Sequence, residues 1–109
     1  MKVILHINEL EKWPTILSNA TNLLNDGKNA ITEIELLANG NAVKGYQEIK
    51  FGISMHELVE KGVKLSCCKH AMEKFEIVEK ELPPFVHVVP SGVLRLVEVQ
   101  QEGYAYIKV

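Results

Sequence analysis

Five runs rich in β-branched and aliphatic residues are spaced along the chain: "KVILHI" at 2–7, "ITEIELLA" at 31–38, "VKLSC" at 63–67, "FVHVV" at 85–89 and "YAYIKV" at 104–109. Each gap between successive runs is long enough for a helix, and that spacing constrains the fold more than any other feature. Connections of helical length between strands build parallel sheets with helices on both faces, and such crossovers are right-handed almost without exception. The first run shows little polar alternation, as expected of a strand covered on both sides. The expected fold class is therefore α/β: a three-layer sandwich with a mostly parallel five-stranded sheet and helices on both faces.

The intervening segments carry helical signals. Trp13, Ile16, Leu17, Ala20, Leu23 and Leu24 form one apolar stripe, with Pro14 suited to a first turn and "NDG" at 25–27 a stop. Ala42, Val43 and Tyr46 suggest a short helix weakened by Gly45 and Gly52. Ser54 and Glu57 have capping-box spacing, with Met55, Leu58 and Val59 facing inward and Gly62 closing the segment. Ala71, Met72, Phe75 and Val78 predict a further helix, cut off by Pro83-Pro84. Ser91 is a candidate N-cap for a last helix, with Val93, Leu96, Val97 and Gln100 on one side and Gly103 as its stop. There is no internal repeat, low-complexity tract or linker, so residues 1–109 are expected to form a single domain.

Composition narrows the function classes. Hydrophobic residues at 47% and charged residues at 24% are those of a globular chain rather than a disordered one. A formal net charge of −2 provides no basic field for nucleic acid or an anionic membrane, and neither is expected as a partner. No apolar run approaches the ~18 residues needed to span a bilayer. The apolar part of "MKVILHINE" is shorter than the ~7–15 residues of a signal-peptide core. A cytoplasmic location is expected.

Both cysteines, Cys67 and Cys68, sit where the third run meets a helical segment. A bridge between them is disfavoured, because adjacent Cα atoms lie about 3.8 Å apart, below the usual disulfide range of ~4.4–6.8 Å. In open parallel sheets, chemistry gathers beyond the carboxyl ends of the strands. Those ends carry His6 and Asn8, Asn39 and Gly40, the two cysteines, and Pro90, Ser91 and Gly92. Alternation sends Cys67 the way of Val63 and Leu65, into apolar packing. Cys68 falls at the N-terminus of the next helix, where open N–H groups and the helix dipole favour a thiolate, with Lys69 and His70 adding positive charge. The competing reading makes both cysteines small packed hydrophobes.

Other chemistries find little support. Cys67, Cys68 and His70 are too crowded for zinc, with no second cluster to complete a site, so no metal is expected. His56 should face solvent, His87 should be a satisfied core histidine, and His6 could serve either the site or packing. The loop "NELEKWP" carries two carboxylates where a flavodoxin-type phosphate site would be. G-x-G-x-x-G is missing, as are phosphoacceptor aspartates at the ends of the first and third strands, so no cofactor is expected. Ser91 lacks the elbow and orienting acid of a hydrolase.

Taken in order, "HI" at 6–7, "ANGNAV" at 38–43, "GVKLSCC" at 62–68, "VPSGV" at 89–93 and "QQEGYAYIKV" at 100–109 resemble the DsrE/DsrF-like family over nearly the whole chain. The resemblance implies a cysteine after a G-V-x-[LF]-x-x-C run that carries sulfur as a persulfide; the matching position is Cys68. It further implies sulfur donor and acceptor proteins as partners, with exchange set by thiolate fraction and access. A homotrimer or homohexamer is implied too, for which Ile77, off the main apolar face, would mark a surface. The chain is shorter than the relay subunits and closer to the stand-alone members. Two functions follow. One is a sulfur carrier using Cys68, with His6, Asn39, Gly40, Ser91, Gly92 and Lys69 around it. The other is a non-catalytic oligomeric module, binding a small ligand or protein, whose cysteines only pack.

Overall fold

Strand β1 (Lys2–Ile7) buries every residue after Lys2, and β2 (Glu33–Ala38) every residue after Glu33. Strands covered on both faces belong inside a sheet. In the computed structural model, which describes residues 1–109, they lie at its centre. With β3 (Lys64–Cys68), β4 (Val86–Val89) and β5 (Tyr104–Lys108) they form one five-stranded, all-parallel sheet in the order β4-β3-β2-β1-β5. One row of side chains runs Ile107, Leu5, Leu36, Leu65, Val86 across the sheet. The neighbouring row, pointing to the opposite face, runs Lys108, His6, Leu37, Ser66, His87.

From β1 to β4 the chain steps in one direction, then returns past β1 to lay down β5. Right-handed crossovers therefore put α1 (Trp13–Gly27), α2 (Gly52–Glu60) and α3 (Lys69–Lys74) on one face and α4 (Gly92–Gln101) on the other. The cores follow suit. The larger joins Leu5, Leu36 and Leu65 to Trp13, Ile16, Met55 and Met72; the smaller joins Ile4 and Leu37 to Leu96 and Val99 of α4. Helices thus cover both faces, as the strand spacing required. No helix is long and apolar enough to cross a membrane.

Two polar anchors fix this frame. The Trp13 indole donates to Ala42 O at 2.7 Å, and Gly45 makes room for it: a Cβ there would stand 1.8 Å from Trp13 Nε1. Residues Gly40–Gln47 consequently form a 3₁₀ segment pinned against the ring. On the other face Glu35, 2% exposed, accepts from the Ser66 hydroxyl (2.9 Å) and from Arg95 of α4 through Nε (3.2 Å) and Nη2 (2.8 Å). A buried carboxylate needs such partners, and this one ties α4 to the sheet.

Local expectations fail where tertiary contacts override them. Helix α2 starts at Gly52 with Phe51 as its uncapped N-cap, so Ser54 and Glu57 form no capping box. Helix α3 spans only Lys69–Lys74, because Glu76 turns to φ +56 and Ile77 donates its N–H to Met72 O at 2.8 Å. That turn buries Ile77 at 7% exposure and exposes Val78, so Ile77 offers no surface for a second copy. Helix α4 turns Leu96 and Val99 inward, leaving Val93 and Val97 over half exposed. His87 is exposed rather than a core histidine, because only α4 covers its face and α4 packs on Ile4 and Leu37.

Candidate functional site

Cys68 is the last residue of β3 and the N-cap of α3, yet its side chain caps nothing in α3. Alternation turns it away from Leu65 and Cys67 and toward the face that α4 covers. There Sγ accepts the N–H of Gly92, the first residue of α4, at 3.3 Å. The open amide beside the sulfur thus comes from a ten-residue helix distant in sequence, not from the adjoining six-residue one. Gly92 permits the approach, since a Cβ there would meet Cys68 Cβ at 3.1 Å and Sγ at 3.4 Å. Ser91 sets the helix end, its Oγ accepting the N–H of Leu94 at 3.2 Å. Cys68 is 6% exposed.

Cys67 contrasts with its neighbour. Both belong to the larger core, but Cys67 is fully buried, and burial, followed by the proximity of Cys68, pushes its thiol up to about 12. A thiol held neutral in apolar packing is inert at physiological pH.

Beside the sulfur stands a second polar group. Asn39 directly follows β2 and its Cβ lies 3.4 Å from the Cβ position of Gly92, so Asn39 and Cys68 flank the same glycine. His6, 7% exposed, is hydrogen-bonded through Nε2 to Asn39 Oδ1 (2.8 Å) and through Nδ1 to the Tyr106 hydroxyl (2.7 Å). Burial holds the His6 pKa below its ordinary value and the charge of Lys108 pushes the same way, against the Asn39 hydrogen bond. Burial raises Tyr106, which stays a phenol and a donor. In the neutral imidazole Nε2–H donates to Asn39 and Nδ1 accepts from Tyr106. Gly40, at φ +56, starts the 3₁₀ turn after Asn39, and a Cβ there would lie 2.9 Å from Asn8 O.

His6, Asn39, Ser91 and Gly92 thus converge with Cys68 at the carboxyl edge of the sheet, and Gly40 shapes the backbone behind them. Lys69 does not join them: exposed, it makes no hydrogen bond or ion pair to the thiol and lines a groove of about 450 Å³ with Met72, Ile77, Val88 and Pro90. His56 pairs with Glu60 on the surface (3.0 Å). No group of three or more His, Cys, Asp or Glu side chains is arranged to hold a metal ion. Sequence reasoning missed Tyr106, Glu35 and Arg95. Glu35 was detectable as a carboxylate inside an otherwise apolar strand; Tyr106 was not, since only the β1–β5 pairing brings it to His6.

A model of the DsrE/DsrF-like family matches residues 16–109. The structure is similar to that of MTH1491, a protein of unknown function from Methanobacterium thermoautotrophicum, at a TM-score of 0.90 and 28% identity over 99% of this chain and 98% of that one. It shares its fold with BT1422, a conserved protein of unknown function from Bacteroides thetaiotaomicron, at a TM-score of 0.79 and 17% identity over 99% and 94% of the two chains. No functionally curated protein matches it in sequence.

Proposed function

The chain belongs to the DsrE/DsrF-like family, which is associated with sulfur relay, and on that premise we propose that it carries sulfane sulfur on Cys68. The supporting observation is the Gly92 N–H directed at Cys68 Sγ from 3.3 Å at the end of α4. An N–H at that point offers a charge-assisted hydrogen bond to a thiolate formed on Cys68. In loading, the Cys68 thiolate attacks the outer sulfur of a donor persulfide, forming a new S–S bond and expelling the donor as a thiolate. In discharge, an acceptor thiolate attacks the outer sulfur and Cys68 leaves as thiolate. One neutral sulfur atom moves each time, with no net oxidation.

In this reading residues 1–109 act as a single cytoplasmic domain in a homotrimer or homohexamer, exchanging sulfur with donor and acceptor proteins. Exposed Val93, Leu94 and Val97 on α4 support the oligomeric part. Gly40, Asn39, His6, Ser91 and Gly92 shape the site, and exposed Lys69 stands apart from it.

The test is intact-protein and peptide mass spectrometry after incubation with a sulfurtransferase and its sulfur donor. One added sulfur atom on Cys68 is expected, with none on Cys68→Ser. Equal loading of Cys68→Ser rules the reading out. The burial of Cys68 favours the second reading, a binding module with packed cysteines; alkylation that is slow at neutral pH and shows no thiolate signature would establish it.

A further inference from the structure

Resting on the reading of Cys68 as the sulfur carrier, we propose that Tyr106, His6 and Asn39 form a positioning relay that turns the Asn39 amide group toward the outer sulfur. His6 Nε2 faces an amide oxygen, which only accepts, so the neutral ring carries its proton there, Nδ1 takes its hydrogen bond from the Tyr106 hydroxyl, and Nε2–H meets an acceptor. Asn39 supplies that acceptor with Oδ1, and its carboxamide is thereby locked with Nδ2 on the other side. Nδ2 makes no hydrogen bond within the chain and, because no buried side-chain nitrogen lacks a partner, it is open at the carboxyl edge of the sheet.

Asn39 stands beside the sulfur, sharing contact with Gly92. Cys68 Sγ accepts one hydrogen bond, from Gly92. The outer atom of a persulfide extends beyond Sγ and brings further lone pairs, and in this proposal the free Nδ2 donates to them. Removing the Tyr106 hydroxyl frees His6 to move its proton to Nδ1. Nε2 then becomes an acceptor, Asn39 turns Nδ2 to it, and the sulfur faces a carbonyl oxygen instead of a donor. Tyr106 reaches the sulfur only through the two side chains between them; it is a positioning residue.

The experiment is a double-variant cycle on the full chain, reading Cys68 loading from glutathione persulfide and, separately, iodoacetamide alkylation of the loaded Cys68 persulfide at pH 7. Asn39→Ala is expected to slow both rates about tenfold, the effect of losing one hydrogen bond to a charged group. Tyr106→Phe, uncharged and at a side chain 40% exposed, is expected to slow them about threefold while leaving the fold intact. In the Asn39→Ala background Tyr106→Phe should change nothing, since its effect passes through the missing amide. Nitrogen-15 shifts should place the His6 proton on Nε2 in the parent protein and move part of it to Nδ1 in Tyr106→Phe. Wild-type rates in both single variants, additive effects in the double, or an Nδ1–H tautomer in the parent each overturn the relay. If Cys68 takes no sulfur in any variant, the carrier reading falls, and the tautomer shifts still decide the hydrogen-bond chain from Tyr106 through His6 to Asn39.

Discussion

Adding one methyl group at Gly92 tests the site where it is most tightly built. The new Cβ would lie 3.1 Å from Cys68 Cβ and 3.4 Å from both Cys68 Sγ and Asn39 Cβ. Only the first contact is tighter than ordinary packing, and relieving it moves α4 and β3 apart by a few tenths of an ångström. Overpacking of this small extent sits near the low end of ~1–3 kcal/mol. Alanine recovers roughly 0.4–1 kcal/mol by restricting the unfolded chain, so the net change in stability is small. The same shift stretches the 3.3 Å contact between Gly92 N–H and Sγ. A hydrogen bond to a charged group is worth about 1.5–3 kcal/mol, and losing roughly half of it slows reactions of the sulfur anion by a factor between about four and twelve. Melting followed by circular dichroism should move by less than about 5 °C, while iodoacetamide alkylation of Cys68 at pH 7 slows by that factor. A folded Gly92→Ala protein alkylated at the parent rate would refute the claim that this amide governs the sulfur.

Other perturbations should separate structural from reactive groups. Arg95→Ala strands the Glu35 carboxylate, 2% exposed, and should cost about 3 kcal/mol in denaturant unfolding, whereas the double variant Glu35→Leu/Arg95→Leu should recover most of that loss. Cys67→Ala removes a buried thiol held up to about 12 by its surroundings, so persulfide loading should persist at the parent level with a stability loss near 1 kcal/mol. A collapse of loading without unfolding would show that Cys67 takes part. His6 titrates below its ordinary value in the folded state, so its contribution to stability is complete above about pH 6.5 and is lost as pH falls through the depressed value. Urea midpoints measured from pH 7 to pH 4 should fall less steeply in His6→Gln; an unchanged slope would contradict the assignment.

The elements were legible because strand and helix periodicities are local properties of a chain. Runs such as Lys2–Ile7 and Glu33–Ala38 declare two-sided burial, and the gaps between runs force parallel crossovers. Alternation within Val63–Cys68 alone separates the packed thiol from the one at the sheet edge. The α3 prediction failed for a physical reason: Phe75 and Val78 continue a helical stripe, but Glu76 takes a left-handed turn that buries Ile77 in the shared core. Packing outweighed periodicity there.

The site itself depends on pairings between distant segments. No local pattern states that β5 lies beside β1, yet that register alone brings Tyr106 to His6. Nor does any state that α4 crosses the opposite face, held by Arg95 on Glu35, so that its first N–H meets Cys68 rather than solvent. From its sequence alone the chain specifies a parallel α/β sheet with one thiol at its carboxyl edge, because side-chain period and burial are written residue by residue. Which helix supplies the amide to that sulfur, and which tyrosine orients the histidine next to it, is decided in three dimensions, because strand order and helix side minimise exposed surface over the whole molecule.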